Sequence, residues 1–318
     1  MPSQVNHRSK VLVTGAQGML GSSVIRAFEG HPNYEVVGWT RGEVDLMNPS
    51  ETFYALKEMS PDYVIHCAAR VGGIQANMES PAGFLLDNVK IDSSILSASQ
   101  QLGVHRFVFI GSSCMYPKNF RQPLVESDLL AAPLEETNEG YALSKIVGSR
   151  LARYISTQNG FQYKTLILSN LYGPNDNFDL TSSHLVAACL RKAIVAKRNL
   201  DSEIHVWGDG KARREFTYVD DVAEWLAGAL SSIEQWPHEM NLGFGSDYSV
   251  EEFHNFALVA AGHQAELVFQ PEKPAGMRQK LMDSSVARNR FGWNPKIYPE
   301  NGMKLTLGSI EGTSHDIR

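Results

Sequence analysis

The stretch KVLVTGAQGMLGSSVIRAF, residues 10–28, decides the fold of this chain. Its apolar beginning predicts a buried strand, and its second half has the apolar spacing of an amphipathic helix. Three glycines, each three residues after the last, lie between the two elements. Glycines at this spacing allow a tight turn and a close approach to the backbone, where the first helix amides can hold a pyrophosphate. The predicted dinucleotide site comprises Gly15, Gly18 and Gly21 together with Met19 and Leu20.

The rest of the first half repeats this pattern of strand, helix and short connection. Such alternation predicts a Rossmann-type, doubly wound parallel sheet with right-handed crossovers. The turn at residues 172–174 then leads into a smaller α/β C-terminal substrate lobe, so the expected fold class is α/β. The predicted strands are 34–39, 63–69, 107–110 and 164–170. The predicted domains are a dinucleotide-binding domain over 1–172, with segments returning from about 212–245, and a nucleotide-sugar-binding lobe over 173–211 and 246–318.

Composition excludes several classes of protein. The 318 residues, 43% of them hydrophobic and 20% charged, can bury one large core or two coupled ones. A net charge of -6 argues against a general nucleic-acid binder. Residues 1–9 lack the apolar core of a signal peptide, and no apolar run reaches the length of a membrane span. Three cysteines without a CxxC pair favour a reducing, cytoplasmic setting, and we expect no metal site.

The end of the second strand carries the choice of cofactor. Arg41 follows that strand, about 20 residues after the last glycine, at a position where an acidic residue would favour NAD. An arginine there suits a 2′-phosphate, so Arg41 favours NADP(H), although an ordinary solvated loop residue is the alternative. At the end of the next strand, the small residues Ala68 and Ala69 would let ribose and phosphates come close. His66 and Cys67, in the same strand, are predicted to be core residues.

The stretch from Phe107 to Lys145 contains the candidate catalytic residues. The strand FVFI ends at Gly111, so Ser112 should lie at the carboxyl edge of the sheet, where ligands bind in open α/β folds. Tyr141 and Lys145 stand four apart and share one face of a helix. A lysine beside a tyrosine favours the phenolate and lets it act as an acid or base near neutral pH. Ser112 could hold a carbonyl oxygen that Tyr141 protonates.

This order of glycine turn, serine at a strand end and Tyr-x-x-x-Lys resembles the extended short-chain dehydrogenase/reductase family, whose members act on nucleotide sugars. The strings GSSCMYPK (111–118), SNLYGPNDNF (169–178) and VWGDGKARREFTYVDD (206–221) are similar to the members that epimerise and reduce GDP-linked 4-keto-6-deoxy sugars. The resemblance implies NADPH-dependent conversion of GDP-4-keto-6-deoxy-D-mannose to GDP-L-fucose, by epimerisation at C3 and C5 and reduction at C4. It also implies a homodimer built on helices near 88–102 and 141–158.

The resemblance assigns roles to further residues. Cys114 and His184 would exchange protons at C3 and C5, and a thiol of pKa about 8.5 with an imidazole of about 6.5 suits that role. In the family an arginine is also seen at the position of Lys192; the lysine keeps the charge of that arginine but loses its bidentate fork. The implied cofactor contacts are Asp45, Leu46, Asn170, Leu171, Lys145 and His184, and the implied substrate contacts are Lys192, Trp207, Arg214 and Asp283.

Three alternatives remain open. A related enzyme could act on another 4-keto sugar, of the GDP-colitose or GDP-deoxyheptose type. A C4 epimerase or 4,6-dehydratase would retain NAD, and Arg41 argues against it. A non-catalytic dinucleotide-binding scaffold usually loses the tyrosine or the lysine, and this chain has both Tyr141 and Lys145.

Overall fold

A computed structural model describes residues 8–179, 183–273 and 276–311. The expectation about a signal segment in residues 1–9 falls almost wholly outside these ranges. The strands are β1 Ser9–Thr14, β2 Tyr34–Trp39, β3 Tyr63–His66, β4 Arg106–Ser112, β5 Gln162–Leu168, β6 Asn170–Tyr172, β7 Glu203–Trp207, β8 Arg213–Arg214, β9 Phe216–Tyr218, β10 Glu239–Leu242, β11 Tyr248–Ser249, β12 Glu266–Gln270 and β13 Gln279–Lys280. The α-helices are α1 Met19–Phe28, α2 Pro49–Met59, α3 Ile74–Glu79, α4 Pro81–Gln101, α5 Glu139–Asn159, α6 Leu185–Asn199, α7 Val219–Ala229, α8 Val250–Ala261, α9 Ser285–Phe291 and α10 Pro299–Glu311. Short 3₁₀ helices span Ser113–Met115, Glu126–Asp128, Glu136–Asn138 and Leu230–Gln235.

Six parallel strands form the main sheet, in the order β10-β5-β4-β3-β1-β2. This arrangement confirms the predicted α/β class and the Rossmann-type sheet. From β1 the order continues to β2 on one side, and from β3 it continues through β4 and β5 to β10 on the other. The topological switch point therefore lies between the carboxyl ends of β1 and β3. Ligands of open α/β sheets bind in the crevice at such a point. Thr14 and His66 end the two strands that flank it.

Helices cover both faces of the sheet because the strands are apolar on both sides. The three residues Val11, Leu12 and Val13 are fully buried in β1. One hydrophobic cluster joins the sheet to α1 and α7, and a second joins it to α2, α4 and α5. The two long helices α4 and α5 pack against each other on the second face, and α5 carries the predicted Tyr141 and Lys145.

The second lobe is a smaller α/β region with its own hydrophobic cluster. Its strands form the parallel pair β7 and β12 and the three-stranded sheet β11-β8-β13, while β6 pairs with β9. Helices α6, α8 and α10 pack together around a core that includes Leu190, Phe253 and Met303. Phe216 and Tyr218 belong to this cluster although they lie in the returning segment 212–245. The domain boundaries therefore stay a prediction.

Two predicted strands end earlier than expected. The strand predicted to reach residue 170 stops at Leu168, where Ser169 N donates to Leu242 O at 3.2 Å and Asn170 begins a new strand paired with β9. The strand predicted for 63–69 stops at His66. In both places the chain leaves the sheet at its carboxyl edge, so the residues beyond each strand line the crevice.

Candidate active site

The glycine turn has the geometry that a pyrophosphate needs. Gly15 has a φ of +69°, and an added Cβ there would lie 2.8 Å from Ala68 N. A Cβ on Gly21 would run into the Gly15 carbonyl, so the helix start can sit against the turn only without side chains. Gly18 is the N-cap of α1, and no described side chain caps that helix. The first amides of α1 are therefore available to an anion, which fits a dinucleotide.

The end of β2 presents a basic residue to the same crevice edge. Arg41 is exposed, two residues after the end of β2. The neighbouring acid Glu43 is turned back to the chain, where its carboxylate accepts from Thr40 N at 2.8 Å and this hydrogen bond lowers the pKa of Glu43. Asp45 likewise accepts from Met47 N at 3.0 Å, and Leu46 is buried. This edge can therefore offer a guanidinium to a phosphate, with its nearby carboxylates engaged by backbone amides.

Ser112, Cys114 and Tyr141 lie together at the end of β4. Ser112 ends the strand, and its hydroxyl accepts from Cys114 N at 3.2 Å at the start of a 3₁₀ turn. Asn138 Nδ2 donates to Cys114 Sγ at 3.2 Å. Ser112 is also a hydrogen-bond partner of Tyr141, which lowers the pKa of the phenol, and Cys114 lies close enough to raise that pKa electrostatically. One group that can bind an oxygen therefore stands beside two groups that can carry a proton.

The ammonium of Lys145 is buried in a cluster of polar groups. Its Nζ lies 3.5 Å from Asp92 Oδ1 on α4 and 4.8 Å from the centre of the Phe109 ring. The same carboxylate oxygen lies 3.0 Å from His66 Nε2, and His66 Nδ1 lies 2.7 Å from Thr14 Oγ1. This cluster joins the carboxyl ends of β1 and β3 to the two long helices.

The expected effect of Lys145 on Tyr141 is not found. The pKa of Tyr141 is raised well above its usual value, first because the phenol is buried and then because Cys114 and Asp92 add negative charge. The hydrogen bond with Ser112 works in the other direction but is the smallest contribution. The ammonium that was expected to favour the phenolate is instead paired with Asp92. Tyr141 is therefore held as a neutral phenol, the form that donates a proton.

The second lobe contributes Arg214 to the same place. Burial lowers the pKa of Arg214, while the acidic groups of Glu135 and Cys114 oppose that shift. Glu135 is 6% exposed and lies 3.5 Å from Lys118 Nζ, and its Oε2 finds no hydrogen-bond partner within the described ranges. The guanidinium of Arg214 thus stands close enough to Cys114 for the two groups to interact electrostatically across the two halves.

The remaining predicted substrate residues are spread over the second lobe. Lys192 Nζ donates to His205 O at 2.8 Å, and burial lowers the pKa of Lys192. Trp207 ends β7 with 52% of its surface exposed, and Lys273 Nζ lies 5.9 Å from its ring centre. Asp283 turns its carboxylate to Ser285 N at 2.8 Å, at the start of α9. The structure thus places an exposed aromatic ring and two cations on the lobe, while Asp283 serves a helix start.

His184 and the end of β5 lie where the chain crosses between the halves. His184 is the N-cap of α6 by position, without a side-chain capping bond, and burial lowers the pKa of its imidazole. Asn170 and Leu171 lie in β6 and are partly buried.

Asn88, on α4, pins the loop after β3, because it accepts from Arg70 N at 2.8 Å and donates to Arg70 O at 3.0 Å. The loop that carries Ala68 and Ala69 is held in this way.

Two sets of residues in the candidate site belong to no sequence motif: Asn138 beside Cys114, and His66 with Asp92 beside Lys145. Asn138 ends a 3₁₀ helix and donates to Cys114 Sγ, and a polar residue three positions before Tyr141 was the available signal. His66 was predicted as a core residue; it is fully buried, but it is also bonded to Asp92. Asp92 stands four residues after Asn88 on α4, so helical spacing alone places both on one face.

Groups of three or more metal-ligating side chains are absent from the part of the chain that the structure describes. Within the same ranges, none of the helices has the length and apolarity needed to cross a membrane.

A glycine turn at the switch point of a parallel sheet, with serine, tyrosine and lysine beside it, defines a dinucleotide-dependent enzyme of the short-chain dehydrogenase/reductase type. Comparison with known proteins agrees. Residues 11–243 match the model of the NAD dependent epimerase/dehydratase family, and the chain belongs to that family.

Several relatives have similar sequences over nearly their whole length. The chain is 39% identical to a GDP-L-fucose synthase of Azorhizobium caulinodans, over 93% of this chain and 95% of that protein. It is 38% identical to a GDP-L-colitose synthase of Yersinia pseudotuberculosis, over 93% of this chain and 96% of that protein. A solved GDP-mannoheptose C4 reductase of Campylobacter jejuni with NADP bound has 30% sequence identity and a TM-score of 0.86, and the match covers 96% of this chain and 98% of that one.

Proposed function

We propose that this chain is an NADPH-dependent epimerase/reductase that converts GDP-4-keto-6-deoxy-D-mannose to GDP-L-fucose. The observation that carries the proposal is the position of Cys114 beside Ser112 and Tyr141, with an amide hydrogen bond to its sulfur. A simple ketone reductase needs only the serine, tyrosine and lysine. A thiol in the same place adds a group that can move a proton on and off carbon.

The residues can divide the epimerisation between them. A 4-keto group acidifies the C–H bonds at C3 and C5, because the carbanion delocalises into the carbonyl as an enolate. Cys114 and His184 remove and return these protons, and the Asn138 amide holds the Cys114 sulfur by a hydrogen bond. Ser112 donates to the C4 oxygen while it carries negative charge.

The reduction uses the other half of the site. When bound at the glycine turn, NADPH supplies the hydride for C4. Tyr141, held as a neutral phenol, gives its proton to the C4 oxygen. The residues that we assign to the cofactor are Gly15, Gly18, Gly21, Met19, Leu20, Arg41, Asp45, Leu46, Ala68, Ala69, Lys145, Asn170, Leu171 and His184. Arg41 would pair with the 2′-phosphate, which is the reason for choosing NADP(H) over NAD.

The GDP part of the substrate belongs on the second lobe. Arg214 and Lys192 supply positive charge for the diphosphate, and the exposed ring of Trp207 supplies a flat surface for the base or sugar. We keep Asp283 in this set because it lies in the same lobe, although its carboxylate bonds Ser285 N.

A second candidate is an enzyme of the same kind acting on another 4-keto GDP-sugar. A GDP-L-colitose synthase and a GDP-L-fucose synthase have nearly the same identity to this chain, at 38% and 39%. A fold shared by both does not choose between substrates.

The test is to incubate the protein with GDP-4-keto-6-deoxy-D-mannose and NADPH in deuterated water, while NADPH absorbance and the product NMR spectrum are followed. Loss of absorbance with deuterium at C3 and C5 is the expected result. Cys114→Ser should abolish deuterium incorporation, whereas the matched Cys189→Ser, in the core of the second lobe, should retain it. Absorbance loss without deuterium would identify a simple 4-reductase. Absence of both would reject this substrate in favour of the second candidate.

We also propose that the chain forms a homodimer through α4 and α5. Large apolar side chains are exposed on the outer faces of these helices, where a second copy could bury them against its own in a four-helix bundle. They are Leu86, Leu143, Val147 and Tyr154.

A further inference from the structure

Asn138 occupies the N-cap position of α5 but does not cap that helix. Asparagine is among the residues preferred just before a helix, because its side-chain oxygen accepts a hydrogen bond from an amide of the first turn. Within the part of the chain that the structure describes, Asn138 makes no such bond, and its Oδ1 is buried without a hydrogen-bond partner. Helix stability therefore does not account for the orientation of this side chain.

The side chain is turned to the sulfur of Cys114 instead. Asn138 Nδ2 donates to Cys114 Sγ at 3.2 Å. One rotatable bond sets the position of a cysteine sulfur relative to its backbone, so a hydrogen bond to Sγ selects one rotamer. The backbone of Cys114 is held separately, because Cys114 N donates to Ser112 Oγ at 3.2 Å. The amide adds the constraint that the backbone lacks, which is the direction of the sulfur.

The backbone around Asn138 is fixed from two sides. Its 3₁₀ turn is closed by a hydrogen bond from Asn138 N to Glu135 O at 3.2 Å, and α3 packs against this turn. Two residues further on, an added Cβ on Gly140 would lie 2.5 Å from Pro81 O at the start of α4. The start of α5 is therefore seated against α4, and the amide cannot withdraw from the sulfur unless the helix moves.

A primary amide suits a group that gains and loses a proton. Its nitrogen donates to a sulfur lone pair, and its oxygen can accept from an S–H group. Because Oδ1 has no partner among the described residues, nothing there opposes a rotation that presents this oxygen to the sulfur. Asparagine can stay bonded to Cys114 in both protonation states. An aspartate only accepts, and a serine is too short to take the place of the amide.

We propose that Asn138 is a positioning residue that fixes the Cys114 sulfur for proton transfer at the sugar carbon, and so supports epimerisation without taking part in reduction. A base must stand in line with the C–H bond that it breaks, and a misplacement of about 1 Å can cost ~10²-fold in rate. Hydride transfer to C4 and proton donation by Tyr141 use neither partner of this contact. The role in proton transfer rests on the proposed function, whereas the orientation of the sulfur does not.

The first measurement separates positioning of the sulfur from capping of the helix. Wild type and Asn138→Ser are incubated with GDP-4-keto-6-deoxy-D-mannose and NADP⁺ in deuterated water, and exchange at C3 and C5 is followed by NMR without reduction. Serine is as good an N-cap as asparagine, so a capping role predicts the wild-type exchange rate. We expect exchange to fall ~10²-fold while NADPH affinity and the thermal midpoint stay constant. A fall of less than about tenfold would overturn the proposal.

Two further variants complete this measurement. Asn138→Asp, which has nearly the size of asparagine and also caps helices, serves if the serine variant does not fold, and its exchange should fall in the same way. Asn159→Ser is the matched control, because Asn159 ends the same helix and its Nδ2 donates to Ile155 O at 2.9 Å. It should exchange deuterium like the wild type.

The second measurement follows the sulfur in protein without substrate or cofactor. Cysteine labelled with carbon-13 at Cβ gives one methylene signal for each of the three cysteines, and Cys114→Ser identifies the signal of Cys114. In the wild type, the two Hβ atoms should have unequal couplings to Hα, as a single rotamer requires. In Asn138→Ser the two couplings should become averaged. Averaged couplings in the wild type, or unequal couplings retained in Asn138→Ser, would overturn the proposal.

The two measurements separate failure of this proposal from failure of the proposed function. If the wild type exchanges no deuterium, the proposed reaction is wrong, and the couplings alone decide whether Asn138 holds the sulfur. If the wild type exchanges deuterium and Asn138→Ser changes the couplings without slowing exchange, the proposed function stands and the positioning role of Asn138 is rejected.

Discussion

The two halves of the candidate site are held in different ways. The half that we assign to the cofactor (the cofactor half) is defined by backbone contacts and buried polar groups, such as the turn at Gly15 against Ala68 and the cluster around Asp92. The half that we assign to the sugar nucleotide (the substrate half) is made of side chains on small sheets of two and three strands, and Trp207 is 52% exposed there. A backbone contact tolerates no added atom, whereas an exposed side chain can be exchanged without refolding.

We infer from this difference that relatives with similar identity, a GDP-L-colitose synthase and a GDP-L-fucose synthase, differ in substrate through the second lobe. On the proposed function, replacements in the second lobe are expected to change which sugar nucleotide is held, while the glycine turn, Ser112 and Tyr141 serve the same chemistry. Substitutions in the two halves should therefore have separable effects. In the cofactor half they should be large and change NADPH binding or the rate of the chemistry, and in the substrate half they should be smaller and change binding of the sugar nucleotide.

The largest effect is expected for Tyr141→Phe. Removal of the proton donor should lower the rate of C4 reduction by ~10²–10⁴-fold, the usual contribution of a general acid. Deuterium incorporation at C3 and C5 should persist, because Cys114 and His184 are unchanged. The measurement is NADPH oxidation beside NMR of the sugar, with Tyr154→Phe, an exposed tyrosine of the same helix, as control. A reduction rate within about tenfold of the wild type would show that another group donates the proton.

The next effect is expected for Gly15→Ala, which attacks the cofactor half through its backbone. The methyl group would lie 2.8 Å from Ala68 N, and a φ of +69° is unfavourable for alanine. The strain of about 1–3 kcal/mol should lower the thermal midpoint, and NADPH affinity should fall by at least about tenfold. Gly30→Ala is the matched control, because Gly30 has a φ of +72° but nothing within 4 Å of its Cβ.

Fluorescence titration with NADPH and thermal unfolding of the two variants separate the effect of the clash with Ala68 from the effect of the positive φ. Both variants have the unfavourable φ, and only Gly15→Ala has the clash. Equal behaviour of the two proteins would mean that the turn can move away from Ala68, and that backbone contact does not define the cofactor half.

The sequence predicted the parts of the fold that depend on local patterns. Alternating strands and helices gave the parallel sheet, and the spacing of Gly15, Gly18 and Gly21 gave the turn. Strand ends were less well predicted, because Ser169 makes the last hydrogen bond of the β5–β10 ladder, to Leu242, and Asn170 then pairs with Phe216 of β9, a residue far away in the chain. Local propensity contains no information about such a partner.

The candidate site was predicted only where a motif names its residues. The position of Lys145 followed from helical spacing, but its pairing with Asp92 depends on how closely α4 and α5 approach, and Gly148 sets that distance. The protonation of Tyr141 was therefore predicted in the wrong direction. Burial and neighbouring charges from other elements decide a pKa, and these exist only after the chain has folded.

A smaller effect is expected for Arg214→Lys in the substrate half. The lysine keeps the charge but loses the bidentate fork, which costs one charge-assisted hydrogen bond of about 1.5 kcal/mol, or roughly tenfold in KM for the sugar nucleotide. NADPH affinity should be unchanged. Arg213→Lys is the control, since Arg213 already pairs with Asp247 at 2.7 Å. If Arg214→Lys weakened NADPH binding as much as substrate binding, the two halves would not be separable.

The smallest effect on catalysis is expected for Val147→Glu, which tests whether a second copy of the chain supports the cofactor half. Val147 is 47% exposed on the outer face of α5, two residues after Lys145 on the inner face. A charge in the proposed interface should convert dimer to monomer in sedimentation experiments. Because α5 keeps its packing against α4 within one chain, kcat should fall by less than about tenfold and KM for the sugar nucleotide should stay constant.

Val259→Glu places the same charge at a 57% exposed valine of α8 in the second lobe and should leave the oligomeric state unchanged. A Val147→Glu protein that sediments like the wild type would exclude this face as the interface. A dimer broken by Val259→Glu instead would assign the contact to α8 in the second lobe. Dimerisation would then affect the substrate half rather than the cofactor half.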